Sequence, residues 1–98
     1  QCASCHTPGG TSNTDLDLRY STALAATKTC NVAPKKGDVG VQGGALLVPG
    51  KPDKSVLFTR MNAAPTDGNF MPEIAVADKH AEGVALIKAW VTSLKSCQ

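Results

Sequence analysis

The sequence predicts an all-α class, one small domain of helices joined by long irregular loops, and three observations lead there. Its 98 residues leave room for a single domain, 1–98. Apolar residues recur at helical spacing in two segments, and a third stretch follows a capping serine. Clusters of glycine, proline and other turn formers separate the three.

Taken in order, Cys2-Ala3-Ser4-Cys5-His6 fits one helical turn, which Pro8-Gly9-Gly10 and Thr11-Ser12-Asn13 convert into a loop. Leu16 and Leu18 alternate with Asp15 and Asp17, an extended pattern; Ser21 then caps a short helix to about Lys28. From Asn31 to Gly50 the chain carries two prolines and five glycines and reads as a long irregular connection, of the kind that often carries function. Pro52 suits a first helical turn, and Val56, Leu57, Phe58 and Met61 give the following helix an apolar face that ends near Asn62. Turn formers from Ala63 to Asn69 precede Phe70-Met71-Pro72. The last helix is the longest, with Asp78 as its cap. Val84, Ile87, Val91 and Leu94 lie on one side, with Leu86, Trp90 and Cys97 beside them, and Trp90 is expected in the core. There is no internal repeat.

Composition excludes several functions. The formal charge of +2 is too small, and the lysines too scattered, for nucleic acid. Lys35, Lys36 and Lys51 could surround a docking face or simply be solvated. No apolar run approaches the roughly 20 residues that cross a bilayer, so no membrane span is expected. No signal peptide is present either; an export signal is expected to lie upstream or to have been removed. The aromatic residues are only Tyr20, Phe58, Phe70 and Trp90, which makes for a thin conventional core.

The chemistry lies at the start of the chain. Cys2-Ala3-Ser4-Cys5-His6 is a C-x-x-C-H sequence, the attachment signature of a c-type haem. Two thiols three positions apart in one turn can add to vinyl groups on one porphyrin edge while the adjacent imidazole reaches the iron. One bound haem c would fill the core deficit, and its propionates would cancel the +2 charge. A thioredoxin-like dithiol, half of a zinc site and a structural disulfide pair are the competing readings. With Cys2 and Cys5 given to haem, Cys30 and Cys97 remain as a pair suited to a disulfide in an oxidising compartment, the alternative being two buried free thiols.

The iron's second face has three candidates. Met71 precedes Pro72, which disfavours helical geometry and holds it extended, able to present its side chain toward a cofactor. Met61 falls on an apolar helix face and reads as core, and His80 lies in the first turn of the last helix, where exposed polar residues are ordinary. Arg19 and Tyr20 could bond a propionate or be rim packing.

The order Cys-x-x-Cys-His, Pro-Gly, an acidic and leucine segment, Val48-Pro49-Gly50-Lys51-Pro52-Asp53-Lys54-Ser55-Val56-Leu57, Met71-Pro72 and a terminal Ala89-Trp90-Val91 resembles small monohaem c-type cytochrome domains. More narrowly, it resembles planctomycete-type cytochrome c domains and those appended to secreted quinoprotein and carbohydrate-active oxidoreductases. The resemblance implies a cytochrome c-like all-helical fold around one covalent haem, His6 and Met71 as axial ligands, and electron transfer. Such domains place a helix before the haem motif, whereas only Gln1 precedes Cys2 here, so a processed or excised part of a larger exported protein is expected. Glu73 stands where a second proline usually follows Met-Pro.

The resulting expectation is an exported or periplasmic electron carrier, not an enzyme, held by Cys2, Cys5, His6 and Met71. It would exchange electrons with a redox protein or fused oxidoreductase domain, through a docking face at the exposed edge near Cys2 and Cys5. The alternative is a haem enzyme or gas sensor with an open distal position.

Overall fold

The structure is a computed structural model and describes residues 2–12, 14–35, 37–64, 68, 70–71 and 80–98. It corrects the all-α expectation. Among these residues there are two α-helices, α1 (Val56–Asn62) and α2 (Ala81–Ser93), and three single 3-10 turns at Cys2–Ser4, Leu24–Ala26 and Pro52–Lys54. Two isolated parallel bridges, Cys30 with Leu47 and Ala45 with Ser55, complete the regular structure.

The first shortfall is at the expected Ser21 to Lys28 helix. Only Leu24–Ala26 turns, with Ala23 rather than Ser21 at its N-terminal cap. Thr27 takes over the end of the turn, its hydroxyl donating to the Leu24 carbonyl at 2.7 Å. Lys28 then adopts φ of +60°, a left-handed conformation that cannot continue a helix. Competition from side-chain hydroxyls for backbone carbonyls, with no apolar face to reward propagation, limits the segment to one turn.

The second difference is in the long connection. Residues 45–47 do not belong to a loose loop but run through the middle of the fold. Leu47 N–H donates to the Thr29 carbonyl and Leu46 N–H to that of Val32, while Val56 and Leu57 donate to the carbonyls of Ala45 and Leu46. Backbone groups on both sides are thereby paired, which a buried segment requires. Ala45 and Leu47 are buried, and with Val56, Phe70 and Val91 they form the apolar core.

Pro52 opens the 3-10 turn that leads into α1, which ends at Asn62 near its expected limit. Ser55, fully buried between turn and helix, fastens this corner: its hydroxyl accepts the Val48 N–H at 2.9 Å and lies 2.9 Å from the Lys51 carbonyl. α1 and the Pro52–Lys54 turn both pack against α2. Gly50, at φ +76°, gives its N–H to the Val91 carbonyl at 2.8 Å, and this conformation is one that only glycine takes freely.

On α2, Val91 is buried and Val84, Ile87 and Leu94 are half-buried, so the expected apolar side faces the core. His80 sits at its N-terminal cap; the cap expected at Asp78 lies outside the described residues. Trp90 is not a core residue. It is 40% exposed and Leu86, one turn earlier, 68% exposed, both on the outer side of α2. The expected disulfide is present between Cys30 and Cys97, with Cα atoms 5.7 Å apart and the two residues 67 positions apart in sequence. No helix of the described residues is long and apolar enough to cross a membrane.

Candidate functional site

The Cys2–Ser4 turn is closed by its first carbonyl. Cys2 O accepts the N–H of Cys5 at 3.2 Å and of His6 at 2.9 Å, which coils the five residues into a single turn. Cys2 is exposed, Cys5 half-buried, and both are free thiols while the other two cysteines are bonded to each other. The sequence-predicted trio of Cys2, Cys5 and His6 is thus brought together locally.

The loop that follows folds back over the turn. Ser12 N–H donates to the Cys5 carbonyl at 3.3 Å and Gly10 N–H to that of Thr7 at 2.8 Å. A side chain at Gly10 would collide with the Cys5 carbonyl, so this approach needs glycine. A cavity of about 250 Å³ opens beside it, lined by Thr7, Gly10, Ser12, Thr14, Leu16 and Lys28 among others.

His6 is fixed at both ends. Its carbonyl accepts the Leu18 N–H at 2.8 Å, and its ring Nδ1 lies 3.4 Å from Thr14 Oγ1. The extended segment that supplies Leu18 is itself anchored by Asp17, whose N–H donates to the Thr27 carbonyl at 3.0 Å. Arg19 grips the Asp17 carboxylate through Nε at 2.9 Å and Nη2 at 2.7 Å. The guanidinium holds this carboxyl well below the usual carboxylate range, and the carboxylate in turn raises Arg19. Asp15 is lowered too, chiefly by its hydrogen bond to Lys35.

The remaining sequence candidates are dispersed. Met71 is half-buried, its N–H donating to the Arg60 carbonyl in α1 at 3.1 Å, beside the buried Phe70. Met61 is half-buried on α1 itself. His80 is exposed, its ring lying over the first turn of α2 in space that Gly83 leaves open. At the rim, the Arg19 fork is engaged by Asp17, Tyr20 projects fully into solvent, and Lys51 is exposed. Lys36, Pro72 and Glu73 lie outside the described residues. Ser12 was legible only as a turn former and Thr14 not at all, because a spacing of six to eight residues from His6 has no periodic signature.

No group of three or more His, Cys, Asp or Glu side chains converges on a metal position among the described residues. Two free thiols and an imidazole in one turn are nonetheless a donor set that could hold a cofactor. Every buried residue described between 2 and 29 is polar: Asp17, Thr27 and Thr29. Searched against family models, curated proteins and solved structures, the chain matches none of them.

Proposed function

We propose that this chain binds one haem c covalently through Cys2 and Cys5 and serves as a single-electron carrier, in activity a monohaem c-type cytochrome. The observation that carries the reading is the Cys2-Ala3-Ser4-Cys5-His6 turn, with both thiols free and closed on the Cys2 carbonyl. Bound there, haem supplies reversible one-electron chemistry at its iron.

The protein's part is attachment, ligation and burial. Cys2 and Cys5 would provide thioether links. His6, its backbone held by Leu18 and its ring by Thr14, would ligate the iron. Met71, held to α1 through the Arg60 carbonyl, would be the second iron ligand, where a thioether raises the reduction potential relative to a second imidazole. Held by both residues, the iron would transfer electrons without binding substrate. The Cys30–Cys97 disulfide supports an exported or periplasmic setting, where thioether attachment also belongs. The partner is a redox protein or an oxidoreductase domain that docks near the exposed Cys2, in a small and transient contact.

Intact-mass spectrometry of the protein made in a cytochrome-maturing host tests this. The expected result is one haem mass per chain, lost in Cys2→Ala/Cys5→Ala, with a low-spin spectrum and no carbon monoxide binding in the ferrous state. A colourless chain with a reducible Cys2–Cys5 pair would make it a dithiol protein. Covalent haem with ready carbon monoxide binding would make it an enzyme or sensor and remove Met71 from the iron.

A further inference from the structure

We infer that Thr14, seated by Ser12, is the positioning residue for the His6 imidazole and sets how strongly that ring donates to the iron. The inference rests on the haem reading above and goes beyond it in naming what controls the ligand.

The geometry is a short directed chain. His6 Nδ1 lies 3.4 Å from Thr14 Oγ1, at the outer end of the hydrogen-bond range. Thr14 Oγ1 lies 2.7 Å from Ser12 Oγ, and the Thr14 N–H donates to that same Ser12 oxygen at 3.3 Å. Ser12 is held in turn by its N–H on the Cys5 carbonyl, so the loop that carries both hydroxyls is fastened to the cysteine turn it serves.

Proton placement follows from the hydroxyl inventory. An imidazole that ligates through Nε2 carries its hydrogen on Nδ1, so Nδ1–H donates and Thr14 Oγ1 accepts. The Thr14 O–H is then left to donate, and Ser12 Oγ at 2.7 Å is the acceptor in reach. Thr14 Oγ1 thus accepts from the ring and donates to Ser12 Oγ, which also takes the Thr14 N–H, and the chain runs one way, from ring to Thr14 to Ser12. A hydrogen bond of this kind fixes the ring's tautomer and orientation and makes it a stronger donor, which favours the ferric state. Cooperative polarisation through Ser12 strengthens the effect. Neither hydroxyl touches the iron, so both act through His6.

The test compares haem-loaded wild type with Thr14→Val, Thr14→Ser and Ser12→Ala. Intact mass is read first: absence of haem in the wild type would refute the haem reading itself, and with it this inference. With haem attached, Thr14→Val should move the ferrous to ferric ratio at fixed solution potential about three- to tenfold toward ferrous, since the second-shell hydrogen bond is lost. A tenfold change is about 59 mV for a one-electron couple. Thr14→Ser, which keeps the hydroxyl, should stay within about twofold of wild type, and Ser12→Ala should shift in the same direction as Thr14→Val by about twofold. A merely structural role for Thr14 would be rescued by valine's matching shape, whereas a hydrogen-bonding role is rescued only by serine. A wild-type potential in haem-bearing Thr14→Val, or an equal shift in Thr14→Ser, overturns the inference. Should Thr14→Val fail to accumulate, an unchanged ratio in Ser12→Ala overturns it.

Discussion

Residues 2–29 and residues 30–98 are organised by different physics. In the later region the described burial is mainly apolar, Ala45, Leu47, Val56, Phe70 and Val91, with Ser55 the polar exception, and the Cys30–Cys97 bond closes it. In the earlier region the buried residues are Asp17, Thr27 and Thr29, held by hydrogen bonds and one ion pair. A segment built that way places side chains well but gains little from excluding water, because hydrogen bonds are exchanged with solvent at small net benefit whereas apolar burial is not. The cysteine turn belongs to the region whose described buried residues are polar.

The contrast can be broken at several points. The largest effect is expected from Cys30→Ser/Cys97→Ser, which should lower unfolding stability by about 4 kcal/mol in the chain-entropy model. Denaturant titration measures it, and hydrogen exchange should place most of the lost protection in residues 30–98. Next, Leu47→Ala removes a buried side chain at the crossing of three segments and should cost about 2–5 kcal/mol; a loss below about 1 kcal/mol would mean that the apolar core is not where the stability lies.

In the earlier region the sensitive groups are polar. Thr27→Val deletes a hydroxyl that serves both the Leu24 carbonyl and Thr29 Oγ1; the carbonyl keeps the Thr27 N–H, but depriving the buried Thr29 hydroxyl of this partner should cost about 1–3 kcal/mol despite the matching shape. A neutral Thr27→Val would show that the hydroxyl pair is not structural.

The smallest effect sharpens the comparison through pH. Arg19 holds the Asp17 carboxyl below its unfolded value of about 3.9, so its stabilisation is fully present above that pH and is lost as pH falls through the lower folded value. Asp17→Asn should therefore flatten the acid limb of the stability profile below about pH 4 and leave its shape near neutrality unchanged. An acid limb identical to wild type would show that the carboxylate is not held by Arg19 in solution.

What the sequence disclosed and what it withheld follow the same division. The disulfide was legible because two cysteines remained once the C-x-x-C-H pair was assigned. α1 and the inner face of α2 were legible because Val56 and Val91 sit in periodic apolar patterns, a local signal with a packing consequence. The Ser21 to Lys28 stretch failed because a serine before a run of alanines looks like a capped helix, while the Thr27 hydroxyl and a left-handed Lys28 decide otherwise. Residues 45–47 were hidden among glycines, and their pairing with Thr29, Val32, Val56 and Leu57 is non-local. Trp90 was placed inside by default, as a residue beside the apolar side of the last helix, although its position on α2 points it outward. At the candidate site the grouping of Cys2, Cys5 and His6 in one turn was legible from spacing; the contacts of Thr14 and Ser12 with that turn were not, since they exist only once the loop has folded back.

The Cys30–Cys97 bond has one more consequence, for how the chain is assembled. It ties everything from Cys30 onward into a ring and leaves the Cys2 to His6 turn on an open arm. Four cysteines can pair in three ways, and two of those would stitch the arm to the ring. The bond sorts the sulfurs: with Cys30 and Cys97 joined to each other, neither can capture Cys2 or Cys5, and both thiols of the arm stay free.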